Sequence, residues 1–151
     1  MVYSAETVAN WFLAHNAYEY KKDGESIEPV THLKLQKLLY YAQGAYLAIY
    51  GVPLFNEDIV AWEHGPVVKE VYDKFHGSGN APLDADDAFN YDTVQGESLG
   101  VLREVYNTFG QYSAWKLRNM THDETPWRQT PKNDIINNGL IQEYFQKHYV
   151  E

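Results

Sequence analysis

The sequence predicts a mostly α fold: a compact bundle of about six helices with a minor short extended element near residues 54–63. Three observations carry this. Apolar residues recur at helical spacing in one segment after another. Ser or Thr stands where several of those helices need an N-cap. Only "IVAW", residues 59–62, has the β-branched and aromatic character of extended chain. The 151 residues are 44% apolar and 15% aromatic, enough for one domain, 1–151, to bury a core of its own.

Ser4 caps a first helix whose Ala5, Val8, Ala9 and Phe12 share a face, and the pattern fades in the polar loop 21–29. Thr31 caps the second and clearest helix. Leu35, Leu38, Leu39, Ala42, Tyr46 and Ile49 form its apolar stripe, with Gln36, Tyr40, Gln43 and Leu47 alongside and Lys34, Lys37, Tyr41 and Ala48 on another side. Gly51 and Pro53 end it. After the extended stretch, Pro66 suits the first turn of a third helix, whose inner face is Val68, Val71, Tyr72 and Phe75. Residues 76–97 read as a loop that is long for a structureless connection, which marks it as mobile or functional. Helical spacing returns at Leu99, Leu102, Val105, Tyr106 and Phe109, closed by Gly110. Ser113 caps a segment through Met120, Thr121 or Asp123 begins a short turn through Trp127, and Ile141, Tyr144, Phe145 and His148 mark a last helix.

Several functional classes are excluded or disfavoured. With no cysteine there is no disulfide, thiol nucleophile or Cys-type zinc site, which fits a reducing compartment. The N-terminus has no basic-then-apolar leader, so a cytoplasmic location is expected. The greasiest run, 38–55, is interrupted by Gln43, Gly44, Gly51, Pro53 and four tyrosines, and is better spent on a core than on a membrane span. A net charge of −9 repels phosphate backbones, so direct nucleic-acid binding is disfavoured; the usual meaning of such a balance is solubility, and its sharper meaning is a basic protein partner.

No catalytic constellation converges. His64 in "EHGP" could be a base oriented by Glu63, but adjacent side chains on extended chain point to opposite faces. His122, Asp123 and Glu124 are consecutive, so on a helix they fan apart rather than enclose a metal; the acids suit a helix N-terminus. Phosphate-loop and nucleophile-elbow motifs are missing, and "GSGN" at 77–80 reads as a turn. No catalytic, cofactor or metal residue is assigned. A small His- or metal-dependent hydrolase is the enzymatic alternative, but binding leads, with exposed aromatics as anchors.

"THLKLQKLLYYAQGAYLAIYGVPLFNEDIVAWEHGPVVKEVYDKF" at 31–75, "SAWKLRNMTHDETPWRQT" at 113–130 and "LIQEYF" at 140–145 resemble, in order, the signature of the Panacea domain, the SocA-like family also met as the phage-associated protein family. The resemblance makes Gln36, Lys37, Tyr40, Tyr41, His64, Gly65, Pro66, Val67, Trp115, Thr121, His122, Pro126 and Trp127 the signature positions, as structural joints or partner contacts. It implies a bacterial or phage-encoded antitoxin without catalytic activity, encoded beside a toxin that it neutralises by direct binding. Several such toxins resemble small alarmone synthetases that modify tRNA, and a basic, RNA-handling toxin would suit an acidic chain. SocA-like members imply an alternative, an adaptor that delivers its toxin to the ClpXP protease. Gly65, Pro66 and Trp127 are expected to be scaffold, and His64 and His122 to meet and pin two halves of the fold together.

Overall fold

A computed structural model describes residues 2–150. These residues form seven α-helices: α1 (Ala5–Asp23), α2 (His32–Tyr50), α3 (Lys69–Phe75), α4 (Gly96–Phe109), α5 (Ala114–His122), the single turn α6 (Thr125–Arg128) and α7 (Asn138–His148). Two short strands, β1 (Ile59–Trp62) and β2 (Gly65–Val68), make an antiparallel hairpin between α2 and α3. The expected caps are in place. The side chains of Ser4, Thr31 and Ser113 accept from the backbone N–H groups of Thr7, Lys34 and Lys116, each filling one of the donors a helix start leaves open.

α2 is the axis of the fold, and α1, α3, α4, α5, α7 and β2 all pack on it. It is buried on almost every side from Lys34 to Leu47, so its apolar stripe is wider than periodicity indicated. Ile49, placed on that stripe by spacing, is instead 49% exposed, because the helix runs past the core by a turn before Gly51 closes it in the left-handed conformation. Gly44 lies where α2 meets α7: a Cβ there would stand 2.4 Å from the Phe145 ring. One connected core runs from Ala5 to Phe145 and includes Trp11, Phe12, Tyr40, Tyr41, Phe55 and Phe109.

Two expectations are corrected. Pro66 does not start a helix. It pairs with Ala61 in β2, and α3 begins only at Lys69. A two-stranded ribbon tolerates proline, because a residue there need not donate outward. The extended region is therefore a hairpin of 59–68 rather than one piece ending near 63. Its free side is taken by the segment 133–136: Ala61 N–H donates to the Asp134 carbonyl, and Asn133 and Ile136 donate to the carbonyls of Ala61 and Ile59.

The stretch 76–97 is also more settled than its composition implies. It holds two single-turn 3-10 helices. Leu83, Ala85, Phe89 and Tyr91 pack on the core and Val94 is buried in it. Leu83 N–H donates to the Val30 carbonyl, and Asp86 N–H to the side chain of Asn10. Lys74 bridges Glu6 and Asp86, which ties part of the acidic run to α1 and α3.

Candidate partner-binding site

Four of the thirteen signature positions, Gln36, Lys37, Tyr40 and Tyr41, lie on α2, and the polar side chains of this helix hold other segments in place. Gln36 acts as a short neighbouring strand for β2: its Oε1 accepts from Val68 N–H at 2.9 Å and its Nε2 donates to the Val68 carbonyl at 3.3 Å. Gln43, two turns further on, does the same for the incoming chain, accepting from Leu54 N–H and donating to the Phe55 carbonyl, both at 2.8 Å. Lys34, placed by spacing on a side of α2 away from the apolar stripe, is buried, and its Nζ donates to the Gly110 carbonyl at the end of α4. A cation there meets both the open carbonyls and the negative end of the helix dipole.

Lys37 is fully buried and donates to the Pro66 carbonyl at 3.0 Å. Burial, with the nearby Arg118 charge, brings its pKa down to about 7. Gly65 is required beside it. Its φ is 114°, and a Cβ would stand 2.8 Å from Lys37 Cε and 2.9 Å from Thr121 Oγ1. Thr121 is not a cap for a following turn. It is buried in the last turn of α5, and its hydroxyl donates back to the Arg118 carbonyl.

Glu124 is the residue that sequence reasoning missed. It stands at a helix start as expected, as the N-cap residue of α6, but it is buried and receives three phenol groups. Tyr40 donates to Oε1 at 2.9 Å; Tyr41 and Tyr149 donate to Oε2 at 2.9 and 2.6 Å. Burial raises the pKa of the carboxyl, and the three hydroxyls partly offset it. The tyrosine hydroxyls are pushed well up by the same burial and by the carboxylate. The cluster joins α2, the α5–α6 corner and the end of α7. Its sequence signal was the Tyr40-Tyr41 pair: two adjacent tyrosines inside a core helix need acceptors.

The hairpin corner is where the signature reaches the surface. Glu63 and His64 form a two-residue turn between the paired Trp62 and Gly65, and both are exposed. Trp127 donates from Nε1 to the Trp62 carbonyl at 2.8 Å and stacks on His122 at 3.9 Å, rings 4° from parallel. His64 and His122 do not pin the fold by meeting: no hydrogen bond joins them among the described residues. Arg118 Nε donates to His64 Nδ1 at 3.3 Å instead, which leaves the proton of a neutral ring on Nε2. The Arg118 guanidinium also lies over the Trp115 ring, 4.4 Å from its centre. Trp115 is 57% exposed. Burial and the charges of Arg118 and Lys37 lower the His122 pKa. Next to this corner is a hollow of about 460 Å³, lined by His32, Gln36, Trp62, His64, Val67 and Tyr72 among others.

As chemistry, the corner offers aromatic faces and a guanidinium. The group bonded to His64 is a cation rather than the carboxylate a general base would need. Among the described residues no group of three or more His, Asp or Glu is placed to hold a metal ion. Gln36, Lys37, Tyr40, Tyr41, Gly65, Pro66, Val67, Thr121 and Pro126 are buried, while His64 and Trp115 face outward and His122 and Trp127 lie half-buried between them.

The fold is a helical globule built on α2 with a mostly interior signature, and residues 35–128 match the family described as "Antitoxin SocA-like, Panacea domain". The match covers more than half of the chain, and the chain belongs to this family. Among curated proteins it is similar to "Antitoxin SocA" of Caulobacter vibrioides (strain NA1000 / CB15N), with 33% identity over 123 residues. The aligned region is 74% of this chain and 62% of that relative. No solved structure matches the chain closely enough to count as similar. No helix among the described residues is long and apolar enough to cross a membrane.

Proposed function

We propose that this chain is an antitoxin: a cytoplasmic, non-catalytic binding protein, acting as one domain over 1–151, that neutralises a protein toxin encoded nearby by direct contact. The observation that carries the reading is the 33% identity to Antitoxin SocA across most of the chain. The continuous core from Ala5 to Phe145 supports a single domain. The net charge of −9 supports a basic toxin, including one that works on RNA. The exposed part of the signature, Trp115 with Arg118 and His64, has the Trp–Arg make-up of an energetic anchor.

The test is coexpression. The neighbouring gene is induced alone and together with this chain, and growth is followed. Growth arrest by the neighbour, relieved by this chain, is expected. A neighbour harmless alone, or lethal in both cases, overturns the reading. The toxin's half-life in rescued cells separates the two routes: an unchanged half-life supports occlusion, and a ClpXP-dependent shortening supports delivery to that protease.

A further inference from the structure

A second hollow, of about 430 Å³, lies between α2, α4 and α7 and takes no part in the corner described above. Val101, Val105 and Phe109 of α4 and Phe145 of α7 line it, against Ala45 and Ile49 of α2. Tyr50 and Tyr149 stand at its ends, both substantially exposed. Glu97 and Glu104 line its outer wall. They are two turns apart on α4, so they point the same way.

Gly100 sits between those carboxylates and also lines the hollow. Among the described residues nothing asks for glycine there. A Cβ would meet nothing within 4 Å, and its φ is not positive. The contrast is with Gly44, held by Phe145, and Gly65, held by Lys37 and Thr121. Glycine inside a helix weakens it relative to alanine, so a glycine with no internal reason points outward, to a backbone that comes close from outside.

We infer that this groove receives an amphipathic helix of the toxin, with its apolar face on the exposed Ile49, Tyr50 and Tyr149 above the buried Val101 and Val105, and its Lys or Arg residues on Glu97 and Glu104. The proposal rests on the antitoxin reading and adds to it the contact surface and the kind of partner segment. From Glu97 to Thr108 the groove wall rises roughly 16 Å, about three turns of a docked helix. A second copy of this chain fits poorly: a two-fold contact would bring the Glu97–Glu104 rims of two chains, each of net charge −9, toward each other.

The experiment uses the product of the neighbouring gene as the probe, coexpressed and then titrated against the purified full chain. Gly100→Leu fills the groove, Glu97→Lys with Glu104→Lys reverses its rim, and Gly100→Ala adds only a methyl group. Circular dichroism and urea unfolding check that each variant is folded. Expected are a higher melting temperature with at least about fivefold weaker binding for Gly100→Ala, loss of rescue for folded Gly100→Leu, and about tenfold or greater weakening for the double lysine variant. Wild-type affinity falls with added salt, and that of the double variant does not. If wild type rescues and the folded groove variants rescue and bind equally well, the groove proposal fails and the antitoxin reading stands. If wild type itself neither binds nor rescues, the antitoxin reading fails and takes the groove with it. A chain that dimerises alone, with Gly100→Leu breaking the dimer, assigns the groove to self-contact and overturns the proposal.

Discussion

Lys37 Nζ lies 3.0 Å from the Pro66 carbonyl oxygen, fully buried, and the charge that most affects it is another cation, Arg118. Beside the two Gln36–Val68 bonds, this contact fastens the hairpin to α2 at the cost of holding an amine out of water.

The cost gives a pH signature. The folded-state pKa of Lys37 is about 7 against 10.5 for a free lysine. Between those values the unfolded chain binds more protons than the folded one, so this residue makes stability rise with pH across that window. Relative to Lys37→Met, wild type is expected to gain stability with a slope half developed at pH 7 that approaches about 1.4 kcal/mol per pH unit by pH 9. Urea unfolding of both proteins at several pH values checks it, and parallel pH profiles would refute it.

Glu124 is expected to be a larger joint than any surface ion pair. Glu124→Ala strands three phenol groups and should cost about 3 kcal/mol or more. Glu124→Gln retains one acceptor oxygen and should cost less. Equal urea midpoints for wild type and Glu124→Ala would remove the carboxylate from its assigned role.

Gly44 and Gly100 make a matched pair on exposed-versus-packed helix surface. Gly44→Ala drives a methyl group into Phe145 and should destabilise by about 1–3 kcal/mol. Gly100→Ala meets open space and should stabilise by about 0.5–1 kcal/mol. Thermal melts of the two variants decide it, since opposite signs are required.

Trp115 and Trp127, two of the three tryptophans near the corner, should separate stability from binding. Trp115→Ala should leave stability within about 0.5 kcal/mol, because the ring is mostly outside, while it weakens rescue of the coexpressed toxin. Trp127→Ala loses the bond to the Trp62 carbonyl and the stack on His122, and should cost about 3 kcal/mol. Full rescue by Trp115→Ala at equal expression would take that side chain out of the contact.

The helices were legible because their signals are local. Ser4, Thr31 and Ser113 cap where expected, and the stripe from Leu35 to Tyr46 marks the axis of the core. What stayed hidden depends on partners far along the chain. Pro66 carries a strong local signal for a helix start, and only its pairing with Ala61 overrides it. Glu124 meets Tyr40 and Tyr41 across more than eighty positions, and no spacing rule reaches that far. Lys34 and Lys37 looked like solvent-facing charge because lysine usually is; here each finds a backbone carbonyl inside. Of the surface corner, His64 and Trp115 were picked out by the resemblance, whereas Arg118, which joins them, was not.

The inward-facing signature has an evolutionary consequence. Gln36, Gln43 and Lys37 grip main-chain atoms, which every sequence possesses, rather than particular neighbouring side chains. The exterior of α4, α5 and the hairpin turn can therefore vary in sequence without renegotiating the chassis underneath.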